Sequence, residues 1–349
     1  MVRIFLFLLC VFPLCTKAQE EDTLIWKYST TDSFAYGSIQ YHQFKSVDDF
    51  RPNALEHQPT VLQSSYHYQG GKAILQCDKI ATFCVIDVNG VTVLRTNNYF
   101  HPWEVDITSY LKKGDNHIQA RFMPAVEMGL EKHYNYIHPA PNDEGEVEIA
   151  SLVRKPQHMF GWDFAPRMNL MGFITPVVIK RKQDQFQNPY VKTISLDSNY
   201  AIIERSIEVI NAEINEVLWQ IKDEQRTLIP QAGRLSWIDT LYHPNLWKAG
   251  EINELYNEYW ILAADSFTFS KHVNYGVRKV ELVQTPDSLG TPFYFKLNNE
   301  FVFCKGSNLV PLDIFPTKVT TQKIKALVLD AKEANMNMLR VWGGGDYLP

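Results

Sequence analysis

Apolar positions recur along this chain with two different periods. Between residues 70 and 122 they come as short β-rich runs, Ala73-Ile-Leu-Gln-Cys77, Ala81-Thr-Phe-Cys-Val-Ile-Asp-Val88 and Ile118-Gln-Ala-Arg-Phe122. Turn signals at Gly70-Gly71, Asn89-Gly90 and Lys113-Gly114-Asp115 separate them. Asn89-Gly90 stands between Val88 and Val91 and reads as a two-residue hairpin, because both central positions of such a turn need positive φ. Short strands at regular spacing predict an antiparallel sandwich over residues 24–185. A polar linker follows at residues 181–189. Beyond it, residues 191–195, 206–210 and 217–221 form a second set of strands, the last two alternating apolar and polar as half-buried strands do. Residues 186–284 are therefore expected to form an immunoglobulin-like sandwich that acts as a spacer.

From residue 320 the period changes to that of a helix. Ile324, Leu327, Val328, Ala331 and Ala334 make an apolar stripe, with Lys323, Lys325, Asp330, Lys332 and Glu333 off it and Thr320 or Thr321 as N-cap. The compact run Phe301-Val-Phe-Cys304 precedes this helix, and Met336, Met338, Leu339 and Val341 follow it. Strand, helix, strand is one βαβ unit of a parallel sheet, so the last strand is expected to be buried on both faces. Arg340 breaks its apolar character. An unpaired buried guanidinium is very costly, so Arg340 is expected to face a carboxylate. Trp342 is followed by Gly343-Gly344-Gly345, which let the backbone turn tightly and leave the indole as a flat apolar platform, of the kind that floors sugar sites.

The 349 residues have the composition of an ordinary globular chain, with 13% aromatics and a formal net charge of -5. Without a basic excess to neutralise phosphates, nucleic acid is not an expected partner. Residues 1–18 carry Arg3, an apolar core from Ile4 to Leu14, and Thr16 and Ala18 before Gln19, the pattern of a cleaved secretory signal. It is too short to span a membrane, and nothing later in the sequence looks transmembrane. Cys10 and Cys15 leave with that segment. The remaining Cys77, Cys84 and Cys304 make neither a disulfide framework nor a zinc site and are expected to be buried free thiols. No Asn-x-Ser/Thr sequon occurs. The expected address is periplasmic or extracellular in a bacterium, with a lysosome as the alternative in a eukaryote. HExxH and P-loop patterns are absent, the histidines (His133, His138 and His158 among them) are scattered, and neither a metal nor a cofactor is expected. Nothing in the pattern specifies an oligomeric state.

Lys305-Gly-Ser-Asn308, Ala334-Asn-Met-Asn-Met338 and Arg340-Val-Trp-Gly-Gly-Gly345 together closely resemble the opening of the catalytic barrel of β-mannosidases in glycoside hydrolase family two. The order Val88-Asn-Gly, Asn98-Tyr-Phe100, Val105-Asp-Ile-Thr108 and Leu111-Lys-Lys-Gly-Asp-Asn116 is similar to the jelly-roll, galactose-binding-like domain that opens that family's chains. The resemblance implies a mainly β chain: jelly roll (24–185), immunoglobulin-like sandwich (186–284), then the start of an incomplete (β/α)8 TIM barrel (285–349).

The resemblance also implies roles. Trp162-Asp163, taken alone, reads first as a core indole beside a turn-forming aspartate. β-Mannosidases carry Trp-Asp-Trp-Gly-Pro here, on a loop that reaches the active site, and this chain matches it with Phe164 and Ala165 in place of the second Trp and the Gly. By that match Trp162, Asp163 and Trp342 would bind substrate, while Arg340, supported by Asn308, would orient the nucleophile. A positive φ is the expected difficulty at Ala165. The acid/base and nucleophile glutamates of the family follow its fourth and seventh barrel strands, beyond Pro349, and the Asn-Glu pairs at 215–216, 253–254, 257–258 and 299–300 do not replace them. The implied reading is the N-terminal part of a secreted retaining exo-β-mannosidase, inactive alone, with a β-mannoside as its partner. The alternative is a non-catalytic carbohydrate-binding or interaction protein derived from such an enzyme.

Overall fold

The computed structural model describes residues 21–25, 27–28, 59–135, 143, 147–181, 185–249, 255–264 and 267–347. The secretory segment expected at residues 1–18 lies outside them, as does His138. The chain divides into two compact units, Met1–Gln183 and Asp184–Pro349.

The first unit is built on β-sheets. A five-stranded antiparallel sheet runs in the order Lys27–Tyr28, Thr60–Tyr68, Gly114–Met123, Phe83–Val88, Val91–Asn97. A four-stranded antiparallel sheet joins Glu21–Thr23, Val178–Lys180, Ile74–Cys77 and Trp103–Asp106. Alternation turns Asn116, Ile118, Ala120 and Phe122 inward along one strand. Phe83–Val88, hydrogen-bonded on both edges, is buried at every position. The Asn89-Gly90 turn forms at φ 50° and 83°. The Asn89 side-chain amide donates to Tyr110 O and Asn116 Oδ1, both at 2.8 Å, which fixes the hairpin tip to the neighbouring loop.

The second unit begins with seven strands in two antiparallel sheets. Phe186–Leu196, Tyr200–Val209 and Arg234–Tyr242 form one, and Glu224–Leu228, Val217–Ile221, Leu255–Ala264 and Phe267–Gly276 the other. Their core centres on Trp219, which meets Trp237 and Trp260 edge-on at 5.9 and 4.9 Å. One ion pair is buried with the indoles. Arg205 donates from Nε and Nη2 to the two oxygens of Glu258, each at 2.7 Å, while Tyr275 Oη (2.6 Å) and Trp260 Nε1 (2.9 Å) donate to the same carboxylate. Burial alone would raise the pKa of Glu258. The hydrogen bonds from Arg205, Tyr275 and Trp260 outweigh that and hold it below the usual carboxylate value.

The end of the second unit departs from expectation in two ways. Residues 301–304 were expected to supply the strand before the helix. Glu300–Val302 instead closes an antiparallel sheet with Tyr294–Leu297 and Val280–Val283, and the strand parallel to Met338–Val341 is Gly306–Leu309. Backbone approach decides this, because a Cβ on Gly306 would overlap the Met338 carbonyl, and a hydrophobicity pattern gives no sign of such a contact. The intervening helix, Thr321–Glu333, has the expected cap, with the Thr320 side chain accepting from Lys323 N at 3.2 Å. Its least exposed positions are Ile324, Leu327 and Ala331, on the expected stripe.

The second departure is burial. Met338–Val341 was expected to be buried on both faces, yet Met338 and Val341 are 38% and 39% exposed. Among the described residues the parallel sheet has two strands, so no third neighbour covers it. Cys77 and Cys84 are buried free thiols, with burial pushing the Cys77 thiol up to about 12. Cys304, also expected to be buried, is exposed, since it lies beyond the antiparallel strand at the open side of the parallel pair.

Candidate functional site

In the first unit the candidate residues sit on a closed turn. Pro156 starts a short 3-10 helix, Gln157–Phe160, and Gly161 at φ 101° redirects the chain. Trp162 and Ala165 then exchange backbone hydrogen bonds in both directions, at 2.9 and 3.0 Å. Asp163 and Phe164 form the exposed tip, while Trp162 is half-buried and Ala165 is buried. Ala165 meets no strain, because Gly161 supplies the positive φ instead. Phe164, in the place of the second Trp, stacks on the buried ring of His158 at 6.3 Å and 28°. The Asp163 carboxylate has no hydrogen bond or ion pair among the described residues.

Below the turn lies a charged framework that sequence reasoning missed. Arg167 Nη1 pairs with Asp143 Oδ1 and donates to Phe160 O at 3.3 Å, and its guanidinium lies over the Phe160 ring at 5.7 Å. Lys155, 3% exposed, directs its amine to Leu170 O, and Met168 N bonds Met159 O at 3.0 Å. The available signal was composition: cations at 155 and 167 flank an aromatic-rich, Pro/Gly-punctuated stretch, and buried cations need partners.

In the second unit Asn308 and Arg340 are register partners on the two parallel strands. Arg340 Nη1 donates to Asn308 Oδ1 at 3.0 Å, so among the described residues its partner is an amide and not the expected carboxylate. The same face of both strands, Gly306, Asn308, Met338 and Arg340, lines an open hollow of about 420 Å³ with Cys304 and Ser307. One lone pair of the amide oxygen fixes the guanidinium, and its other N–H groups remain available to an anionic group in the hollow.

Trp342 follows two residues later, half-buried, its N–H bonded to Leu309 O at 3.0 Å. A Cβ on Gly344 would overlap the six-membered ring of the indole, and one on Gly345 would come 3.1 Å from Pro311. The glycines therefore let the chain fold back against the indole itself. Gly344→Ala is expected to displace the ring, read as a shift of the Trp342 indole N–H resonance with the sandwich resonances unmoved. The Trp162–Asp163 turn belongs to the first unit and the Asn308, Arg340, Trp342 set to the second.

Residues 54–175 match the family described as glycosyl hydrolase 2 galactose-binding domain-like. β-Mannosidase B of Thermothelomyces thermophilus is 30% identical over 306 residues, covering 82% of this chain and 35% of that protein. β-Mannosidase of Bos taurus is 29% identical over 342 residues, covering 88% and 38%. Among solved structures, the β-D-mannosidase of Dictyoglomus thermophilum superimposes with a TM-score of 0.78 at 25% identity, over 95% of this chain and 44% of that one. The exo-chitosanase of Amycolatopsis orientalis, at 17% identity and a TM-score of 0.60 over 86% and 34%, shares the fold. The chain thus spans little more than a third of the length of the curated relatives it matches. The first unit thus carries a galactose-binding-like domain of the glycosyl hydrolase 2 type, and β-mannosidases align along most of the chain.

Proposed function

We propose that the chain is the sugar-contacting part of a retaining exo-β-mannosidase that releases terminal β-D-mannose from glycans or oligosaccharides. The observation that carries this reading is Asp163: an exposed carboxylate, without a partner among the described residues, on a hydrogen-bonded turn between two aromatic side chains. A carboxylate so held can accept two hydroxyl hydrogen bonds from one sugar, and Trp162 supplies an apolar face beside it. In the second unit Trp342 would offer an apolar platform of its own. Arg340, steadied by Asn308, would orient the carboxylate nucleophile of the whole enzyme. By the family pattern the two catalytic glutamates are not among these 349 residues, whose part would be to hold the sugar that those glutamates act on.

Titration of the full chain with mannose and methyl β-mannoside tests this reading. Asp163→Ala is expected to weaken binding about tenfold, the loss of a charge-assisted hydrogen bond. Nitrophenyl β-mannoside should remain uncleaved. Binding that prefers galactosides or glucuronides would overturn the mannoside assignment, and binding that ignores Asp163 would overturn the site. Among the described residues no helix is long and apolar enough to cross a membrane. Export to the periplasm or cell exterior would follow from residues 1–18, and a mature N-terminus at Gln19 would establish it.

A further inference from the structure

We propose that Arg167 is the positioning residue of the candidate sugar turn: paired with the buried Asp143, it fixes where the Asp163 carboxylate points and so how tightly a mannoside is held. The proposal rests on the mannoside reading of Asp163 given above. The Trp162–Ala165 hydrogen bonds close the turn but do not orient it relative to the body of the domain. Arg167, two residues beyond Ala165, makes that connection.

The Asp143 side chain is 0% exposed and that of Arg167 15%. Both Asp143 oxygens are engaged, Oδ1 by Arg167 and Oδ2 by the backbone N–H groups of Ile149 (2.8 Å) and Ala150 (3.1 Å). The carboxylate therefore cannot swing. Ile149, Ala150 and Phe160 belong to one buried apolar cluster, so the guanidinium is gripped at Asp143 and Phe160 by rigid core on both sides. A buried ion pair is a poor way to gain stability, since desolvation offsets its attraction. It is a good way to fix one geometry, and sites lose function when a contact group moves by about an ångström.

A single nitrogen, Nη1, makes both contacts, to Asp143 and to Phe160 O. An ammonium can do the same, which gives the test a rescue arm. In the full chain, Arg167→Met is expected to speed hydrogen exchange at the Trp162 and Ala165 amides about tenfold relative to the Thr60–Tyr68 and Gly114–Met123 strands, and Arg167→Lys should restore most of the protection. Mannose affinity should fall about tenfold in Arg167→Met, follow exchange across the series and recover in Arg167→Lys. Asp143→Asn, which keeps an oxygen for the two backbone amides, should show the same turn-specific loosening and covers the case in which Arg167→Met fails to fold. If wild-type chain binds no mannoside, the sugar reading falls while exchange still decides the role of Arg167. Unchanged exchange and affinity in folded Arg167→Met or Asp143→Asn would overturn the proposal.

Discussion

Glu258→Ala is expected to destabilise the second unit by about 3–5 kcal/mol, the cost of leaving a buried guanidinium without its carboxylate. Chemical denaturation followed by tryptophan emission would measure it, because the three indoles of that core lie around the same network. Arg205 would retain a 3.6 Å approach to Asp239 and a 3.4 Å contact to Tyr275 Oη, and Tyr275 and Trp260 would each lose an acceptor. Glu258→Gln keeps the shape and should cost less. The pH dependence follows from the shifts. Glu258 is held below its ordinary pKa, so its contribution is complete above the unfolded carboxylate value, about 4.3, and is lost as pH falls through the lower folded value. Tyr275 is shifted upward, by burial first and then by its bond to Glu258. Its contribution is present below the unfolded value of about 10 and is lost as pH rises through the folded one. Acid sensitivity that disappears in Glu258→Gln would confirm the assignment, whereas an unaltered acid limb would refute it.

Gly306→Ala should have the largest effect on the candidate sugar-contact set of the second unit. A Cβ there overlaps the carbonyl of Met338, and backbone on both sides cannot yield as a flexible side chain would. Overpacking of this kind costs about 1–3 kcal/mol. It acts where two strands hold each other with no third neighbour among the described residues. The parallel pair should open, and with it the 3.0 Å bond from Arg340 to Asn308 and the Trp342 N–H bond to Leu309. Amide exchange at Trp342 is the direct readout, expected to lose protection while the sandwich strands keep theirs. Retained protection at Trp342 would mean that the strands can separate by the needed fraction of an ångström without parting.

Much of the fold could be read from residues whose structural meaning is local. Asn89-Gly90 needed only its own φ preferences to predict a hairpin, and Thr320 with the Ile324, Leu327, Ala331 stripe needed only the helical period. The parallel strand was misplaced because Gly306-Ser-Asn-Leu309 has no hydrophobic signature; its place is set by the approach of Met338, some thirty residues away. Burial of Met338–Val341 failed for a related reason, since it depends on neighbouring strands and not on the strand's own apolarity. Of the candidate site, Trp162, Asp163, Trp342, Arg340 and Asn308 were proposed from string resemblance. Their supports, Arg167 with Asp143 and the Gly344 contact, depend on side-chain direction, which no periodicity encodes. Asn257-Glu258 illustrates the converse. Its Asn-Glu string looks catalytic, but Glu258 is committed to four donors and none of its oxygens faces solvent chemistry.

The three described cysteines differ sharply in accessibility. Cys77 and Cys84 are sealed in the first unit with thiols raised by burial, while Cys304 is exposed on the rim of the hollow that holds Asn308 and Arg340. An alkylating fluorophore or spin label added to the folded chain will therefore discriminate among them without mutagenesis. It will report from Cys304, giving an optical or magnetic gauge of whatever enters that hollow.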